Sequence, residues 1–248
     1  MMPRTTSNPG NQIAKRLDQR FFVGITAAIV VFVFVGFART FYLHRLFGVP
    51  APPSFMAFHG SLMSGWILLL FVQTALITSN RVHWHRRLGI VGAFYAVLIV
   101  VVGCMATLIA AAREVRAHSA MVASQLNVLA LELTQMLLFA CLVGAAVRLR
   151  NRYDWHKRLM LMATLCILPN VIVRLSFLTD IEFFTRNINL LGLWALTVIL
   201  VVALDSYRRR RLHPAFGLVG ALTIASLYAA YFVGISSGWV RFSTWLVS

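Results

Sequence analysis

Acidic residues are the scarcest resource of this chain: seven Asp and Glu stand against 23 Lys and Arg in 248 residues, a formal charge of +16. Charged residues of all kinds make up only 12%, where a soluble domain carries about 25%, and 60% are hydrophobic. With a mean hydropathy of +0.79, that poverty of charge excludes a water-soluble globule. Lysine is nearly absent. Lys15 lies in the polar N-terminal stretch and Lys157 near a helix foot, so no mid-membrane Schiff base of the retinal-protein kind is available. Cysteine is limited to Cys104, Cys141 and Cys166, all within apolar runs and far from any C-x-x-C spacing. They read as packing residues, not a disulfide framework or a thiolate metal site. The chain also has no Walker A loop and no H-E-x-x-H, so neither an ATP-driven pump nor a zinc hydrolase is supported, and no catalytic residue is assigned.

What is present is a series of apolar runs. Stretches of about 20 residues predict seven spans, roughly 21–39, 55–78, 89–112, 123–147, 159–179, 189–207 and 215–238. The fold class expected is therefore an all-α integral membrane protein. A polar tail, 1–20, precedes a single seven-helix domain, 21–248. The first run is too long for a signal-peptide core and reads as a retained helix. Segment 40–54, with Pro50, Pro52 and Pro53, reads as an ordered turn, and the terminal WVRFSTWLVS as an interfacial anchor. GISSG at 234–238 reads as plain helix packing.

Basic residues separate by side. The tail and the loops after spans two, four and six hold 16 Lys and Arg; the other loops hold six, including Arg186, and Arg174 lies within span five. Of the acidic residues, Asp180 and Glu182 fall on the sparsely basic side. The positive-inside bias places the N-terminus in the cytoplasm and the C-terminus outside, in the periplasm of a bacterial inner membrane. The charge is thus a topology signal with an affinity for anionic lipid heads, and nucleic acid is not an expected partner.

One motif occurs twice. WHRRLG (84–89) and WHKRLM (155–160) each join a span descending toward the basic face to one that ascends from it. His85 and His156 are therefore expected at matched depth on alternate helices. Tryptophan and arginine there are an ordinary interfacial belt, but a belt does not require histidine in the same place twice. Two neutral imidazoles so arranged suit the axial positions of a heme iron. His83 and His213 lack the repeat and read as surface residues, and His44 as a loop residue.

A second constellation lies in the apolar runs. Glu132 stands about 24 Å up span four from Arg148, and Arg174 about 27 Å up span five from His156, counting 1.5 Å per residue. His59 reaches a similar level on span two. Ionisable groups at such depth face partners or a cavity, and Glu132 with Arg174 is the expected pair. Helical spacing adds Gln125 and Gln135 to the face of Glu132, Asn170 and Cys166 to that of Arg174, and Trp66 and Gln73 to that of His59. Pro169 is expected to open the helix beside Asn170.

The residues HRRLG and HKRLM, with the later Arg174, resemble a broad group of uncharacterised bacterial multi-pass membrane proteins marked by H-R-x-L-G and H-x-R-x-M at helix feet. The four-helix portion, about 55–178, is also similar in layout to the ascorbate-linked diheme transmembrane cytochromes b, and more faintly to small proteins that assist heme-copper oxidase assembly. The cytochrome resemblance implies heme b, with His85 and His156 at one site, His59 and His118 as the outer pair, and Arg174 near a propionate. His118 stands on the order of 45 Å along the helix from Arg148, and His59 about 28 Å from Thr78. That mismatch of roughly 15 Å favours one heme over two. The expected function is electron transfer with a redox or membrane-protein partner. The competing expectation is a non-catalytic assembly factor or scaffold in which Glu132 and Arg174 form a structural pair.

Overall fold

The computed structural model describes residues 9–176 and 187–248, so Asp180, Glu182, Arg186 and the expected end of the fifth span lie outside the described residues. The described chain is mostly helical, with short turns and an irregular stretch at 49–53, and no strand among those residues. The helices are α1 (Pro9–Phe37), α2 (Ser54–Thr78), α3 (Val82–Arg116), α4 (Val122–Arg148), α5 (Tyr153–Cys166), α6 (Pro169–Ser176), α7 (Asn187–Arg209), α8 (Pro214–Gly234) and α9 (Ser237–Val247), with a π-helical turn, Ala38–Tyr42, after α1. Among the described residues, six helices are long and apolar enough to cross a membrane. The pair α5 and α6, bent by 41°, makes a seventh if it is one span.

Three boundaries depart from the hydropathy reading. Helix α1 begins at Pro9, inside the stretch read as a tail. Pro suits a first helical position, and beyond Gly10 and Asn11 the residues Gln12, Ala14, Lys15, Arg16 and Leu17 are good helix formers. The expected turn over 40–54 starts as the π-helical continuation of α1, and the Tyr42 hydroxyl ties it to α2 through Ser64 Oγ at 2.6 Å. The terminal anchor is a helix of its own. On α9, Trp239 turns inward and donates from Nε1 to the Leu126 carbonyl at 2.7 Å, while Trp245 stays exposed. GISSG supplies helix packing as expected: a Cβ on Gly234 would meet Asn127 of α4 at 2.5 Å.

Helix α5 is the hub. Leu161 to Leu168 are all buried, an inventory that fits a helix surrounded by others. From α2, Trp66 Nε1 donates to Thr164 Oγ1 at 3.0 Å; α4 and α8 pack along it; α7 contributes Trp194 and Asp205. The bend at Pro169 has a physical cause. Proline has no N–H, so the Leu165 carbonyl four residues back loses its helical donor. Trp194 Nε1 donates to that carbonyl at 2.7 Å, and the Leu168 N–H adds a longer bond of 3.2 Å. Trp194 is fully buried. Removing the indole donor while keeping an aromatic ring, as Trp194→Phe, is expected to cost about 1 kcal/mol for the hydrogen bond, plus any packing loss. Thermal unfolding in detergent measures it, and an unchanged melting point would show that the bend is satisfied without Trp194.

Candidate functional site

The end of the bundle carrying the 78–82, 148–153 and 209–214 connections brings the repeated motifs together. His85 sits in the first turn of α3 and His156 in the first turn of α5. Their ring centres are 6.3 Å apart with planes at 86°. The order of the chain explains the meeting: each motif begins the helix after a tight connection, and α3 and α5 both pack against α4.

Each imidazole is anchored through Nδ1. His156 Nδ1 is 2.8 Å from the Ala146 carbonyl. A carbonyl only accepts, so the proton is on Nδ1 and the Nε2 lone pair is free. Ala146 lies in the last turn of α4, where carbonyls lack helical donors, so the ring also completes the end of that helix. Gln73 of α2 holds His85. With its amide nitrogen toward the ring, Gln73 donates to Nδ1 at 2.6 Å and to the His85 carbonyl at 3.2 Å, while its oxygen accepts from the Gly89 N–H at 3.0 Å. In that orientation His85 carries its proton on Nε2. With the amide oxygen at Nδ1, the proton moves there and Nε2 is released.

The other side of the α5 foot is an ion network. Arg158, two residues from His156, is fully buried and meets the fully buried Asp205 with Nε at 2.9 Å and Nη2 at 2.8 Å. Its Nη1 reaches the Asp154 carbonyl at 3.0 Å and carboxylate at 3.1 Å, and the rings of Phe22 and Phe216 flank it at 5.6 and 5.5 Å. Lys157 joins Asp154 to Asp18 of α1, and Arg208 and Arg209 close the network from α7. Arg158 and Asp205 were legible only as members of a basic face; their burial was not. His213 likewise does more than cover surface. Its Nδ1 accepts from the Ala215 N–H at 3.1 Å, capping α8, and its ring packs on Trp155. Burial and the nearby Arg158 and Arg209 charges hold this imidazole below the usual histidine pKa, which keeps the accepting nitrogen unprotonated. His83 is exposed, and His44 closes its own loop on the Val49 carbonyl at 3.1 Å.

At the opposite end lies the polar constellation. Gly103 of α3 packs against Met136 of α4 and Met63 of α2. One helical turn farther from the histidine pair, the same three helices carry Thr107, Glu132 and His59. The Thr107 hydroxyl borders the Glu132 carboxyl without reaching hydrogen-bond geometry, and Arg174 is the nearby cation acting on that carboxyl. The Arg174 guanidinium also lies 5.7 Å from the Phe37 ring centre. The stripe Cys166, Asn170, Arg174 is divided by the bend: Cys166 ends α5, and the other two belong to α6. Gln135 is buried, whereas Gln125, at the start of α4, and Asn170 are partly exposed. His118 is exposed in the turn after α3, which leaves His59 with no second imidazole opposite it.

The donor set selects the kind of metal it can serve. Among the described residues, no group of three or more His, Cys, Asp or Glu side chains is placed to hold a metal ion. Two imidazoles alone suit an iron that arrives with its own equatorial ligands, as heme does. Fixed Nδ1 atoms are the usual outer support of ligating histidines. His156 meets that description; His85 meets it only with the Gln73 amide reversed, an orientation that sets the Gln73 oxygen against the His85 carbonyl and its nitrogen against the Gly89 N–H. Comparison of the chain with protein-family models, with curated proteins and with solved structures gives no match.

Proposed function

We propose that the protein is a b-type heme-binding electron-transfer protein of the bacterial inner membrane, with His85 and His156 as axial ligands. The observation that carries this reading is the meeting of two repeated motifs as a pair of Nδ1-anchored imidazoles. When bound, heme supplies a one-electron couple at that face. The chain's own residues do the positioning. Ala146 fixes the His156 tautomer with Nε2 free, Gln73 would turn its oxygen to His85 Nδ1 to free the other Nε2, and the Arg158–Asp205 pair locks the foot of α5 against α7. The test is a visible spectrum of protein purified from heme-sufficient cells. Reduction is expected to sharpen the α and Soret bands of a bis-histidine heme. A protein blank in both states rejects the reading in favour of an assembly factor or scaffold.

The same reading has the N-terminus in the cytoplasm and the C-terminus in the periplasm, from the 16-to-6 division of basic residues. Reporter fusions at the two ends are expected to give opposite responses. Equal responses would mean an even number of spans, so that α5 and α6 do not cross together.

A further inference from the structure

The end of the bundle away from the histidine pair is short of hydrogen-bond partners. Among the described residues, four buried side-chain atoms have none: Thr40 Oγ1, His59 Nδ1, Thr107 Oγ1 and Gln135 Oε1. Leaving such an atom unpaired forfeits its hydration without replacement, and low dielectric raises the stakes. Four at one end of a small bundle is therefore a feature to explain.

They share a place. Thr107 borders Glu132, and His59 stands at the same level on α2, each one turn beyond the contact of Gly103 with Met63 and Met136. Gln135 follows Glu132 by three residues, on the same face of α4. Phe41 lies against Gly60, next to His59, which brings the π-helical turn to the same end of α2. Such turns occur frequently at functional sites. Thr107 and Gln135 are each only 2% exposed, whereas His59 and Glu132 are partly accessible and Arg174 is exposed on the flank of the bundle. A molecule reaching them sideways comes through the lipid.

The chemistry of the unpaired atoms narrows what it is. An amide oxygen accepts only, whereas a neutral imidazole nitrogen accepts in one tautomer and donates in the other, and a threonine hydroxyl does either. A ligand that satisfies Gln135 must bring a hydrogen-bond donor, and hydroxyl groups on a lipid-soluble body do so. We propose that this cluster is a binding site for the hydroxylated head group of a membrane-soluble quinol. His59 Nδ1 and Gln135 Oε1 take its hydroxyl hydrogens, and Thr107 bonds a hydroxyl oxygen. The site stands independently of heme, because its test reads binding alone.

The experiment is isothermal titration of the full chain in detergent with decyl-ubiquinol under anaerobic conditions, with decyl-ubiquinone as the comparison. Saturable binding is expected, at least tenfold tighter for the quinol, since a quinone carbonyl offers no hydrogen to Gln135 or His59. Thr107→Val and Gln135→Leu are each expected to weaken quinol binding at least tenfold. Both variants are expected to melt no lower than wild type without ligand, because an unpaired buried polar atom is replaced by an apolar group of similar size. Absence of saturable binding overturns the proposal, as does wild-type affinity in both variants. Equal affinity for the quinone overturns the hydroxyl assignment. A lower ligand-free melting point for both variants would show that the atoms serve the fold, and overturns the site as well.

Discussion

Asp205→Asn is expected to destabilise the protein by about 3–5 kcal/mol, the loss seen when one member of a buried ion pair is removed. Both side chains of the Arg158–Asp205 pair are fully buried, so the asparagine variant leaves a guanidinium charge with only half its acceptors. The fork geometry, with bonds of 2.9 and 2.8 Å to separate carboxylate oxygens, requires arginine. Arg158→Lys is expected to destabilise comparably, since a point charge cannot span both oxygens. Replacing both members, as Arg158→Met with Asp205→Leu, is expected to recover most of the loss, because an apolar pair carries no desolvation penalty. Thermal unfolding of the wild type and the three variants in detergent provides the measurement. A loss below about 1 kcal/mol for Asp205→Asn, the scale of an exposed pair, would show that water reaches the carboxylate and that the pair is not the lock of α5.

Hydropathy read the spans well because a run of 20 apolar residues has few other uses, and Pro169 announced the break in the fifth. It could not say which span is central. A helix facing lipid and one facing other helices are both apolar, so the burial of Leu161 to Leu168 left no trace in composition. The same degeneracy hid Arg158 and Asp205. Both stand among basic residues at helix feet, where Lys and Arg are ordinary, and only the packing of α5 against α7 decides that this pair is buried. Repetition and spacing, by contrast, carried information. WHRRLG and WHKRLM pointed to the pair that meets, and the stripe His59, Trp66, Gln73 marked the inward face of α2 on which Trp66 binds Thr164 and Gln73 meets His85. Thr107 was not legible, since a threonine in an apolar run is ordinary until its hydroxyl is found unpaired beside a carboxyl.

The largest functional effect is expected at the paired histidines. His85→Ala and His156→Ala are each expected to abolish the reduced-heme spectrum, because an iron with one protein ligand is held poorly and loses the low-spin signature that two imidazoles impose. The two variants are not expected to be equivalent in stability. His156 donates to a carbonyl in the last turn of α4, so its removal also strands a helix end and is expected to cost about 1 kcal/mol beyond the cofactor. His85 removal frees the Gln73 amide, which keeps its bonds to the His85-position carbonyl and Gly89 N–H, and the apoprotein is expected to tolerate it better. Gln73→Leu separates ligation from positioning. It keeps both imidazoles but removes the group that sets the His85 proton, so heme is expected to bind with a shifted midpoint potential. Exogenous imidazole is expected to restore part of the low-spin spectrum in either alanine variant by occupying the emptied ligand position. A wild-type spectrum surviving in both alanine variants would place the iron, if any, on other residues and end the bis-histidine assignment.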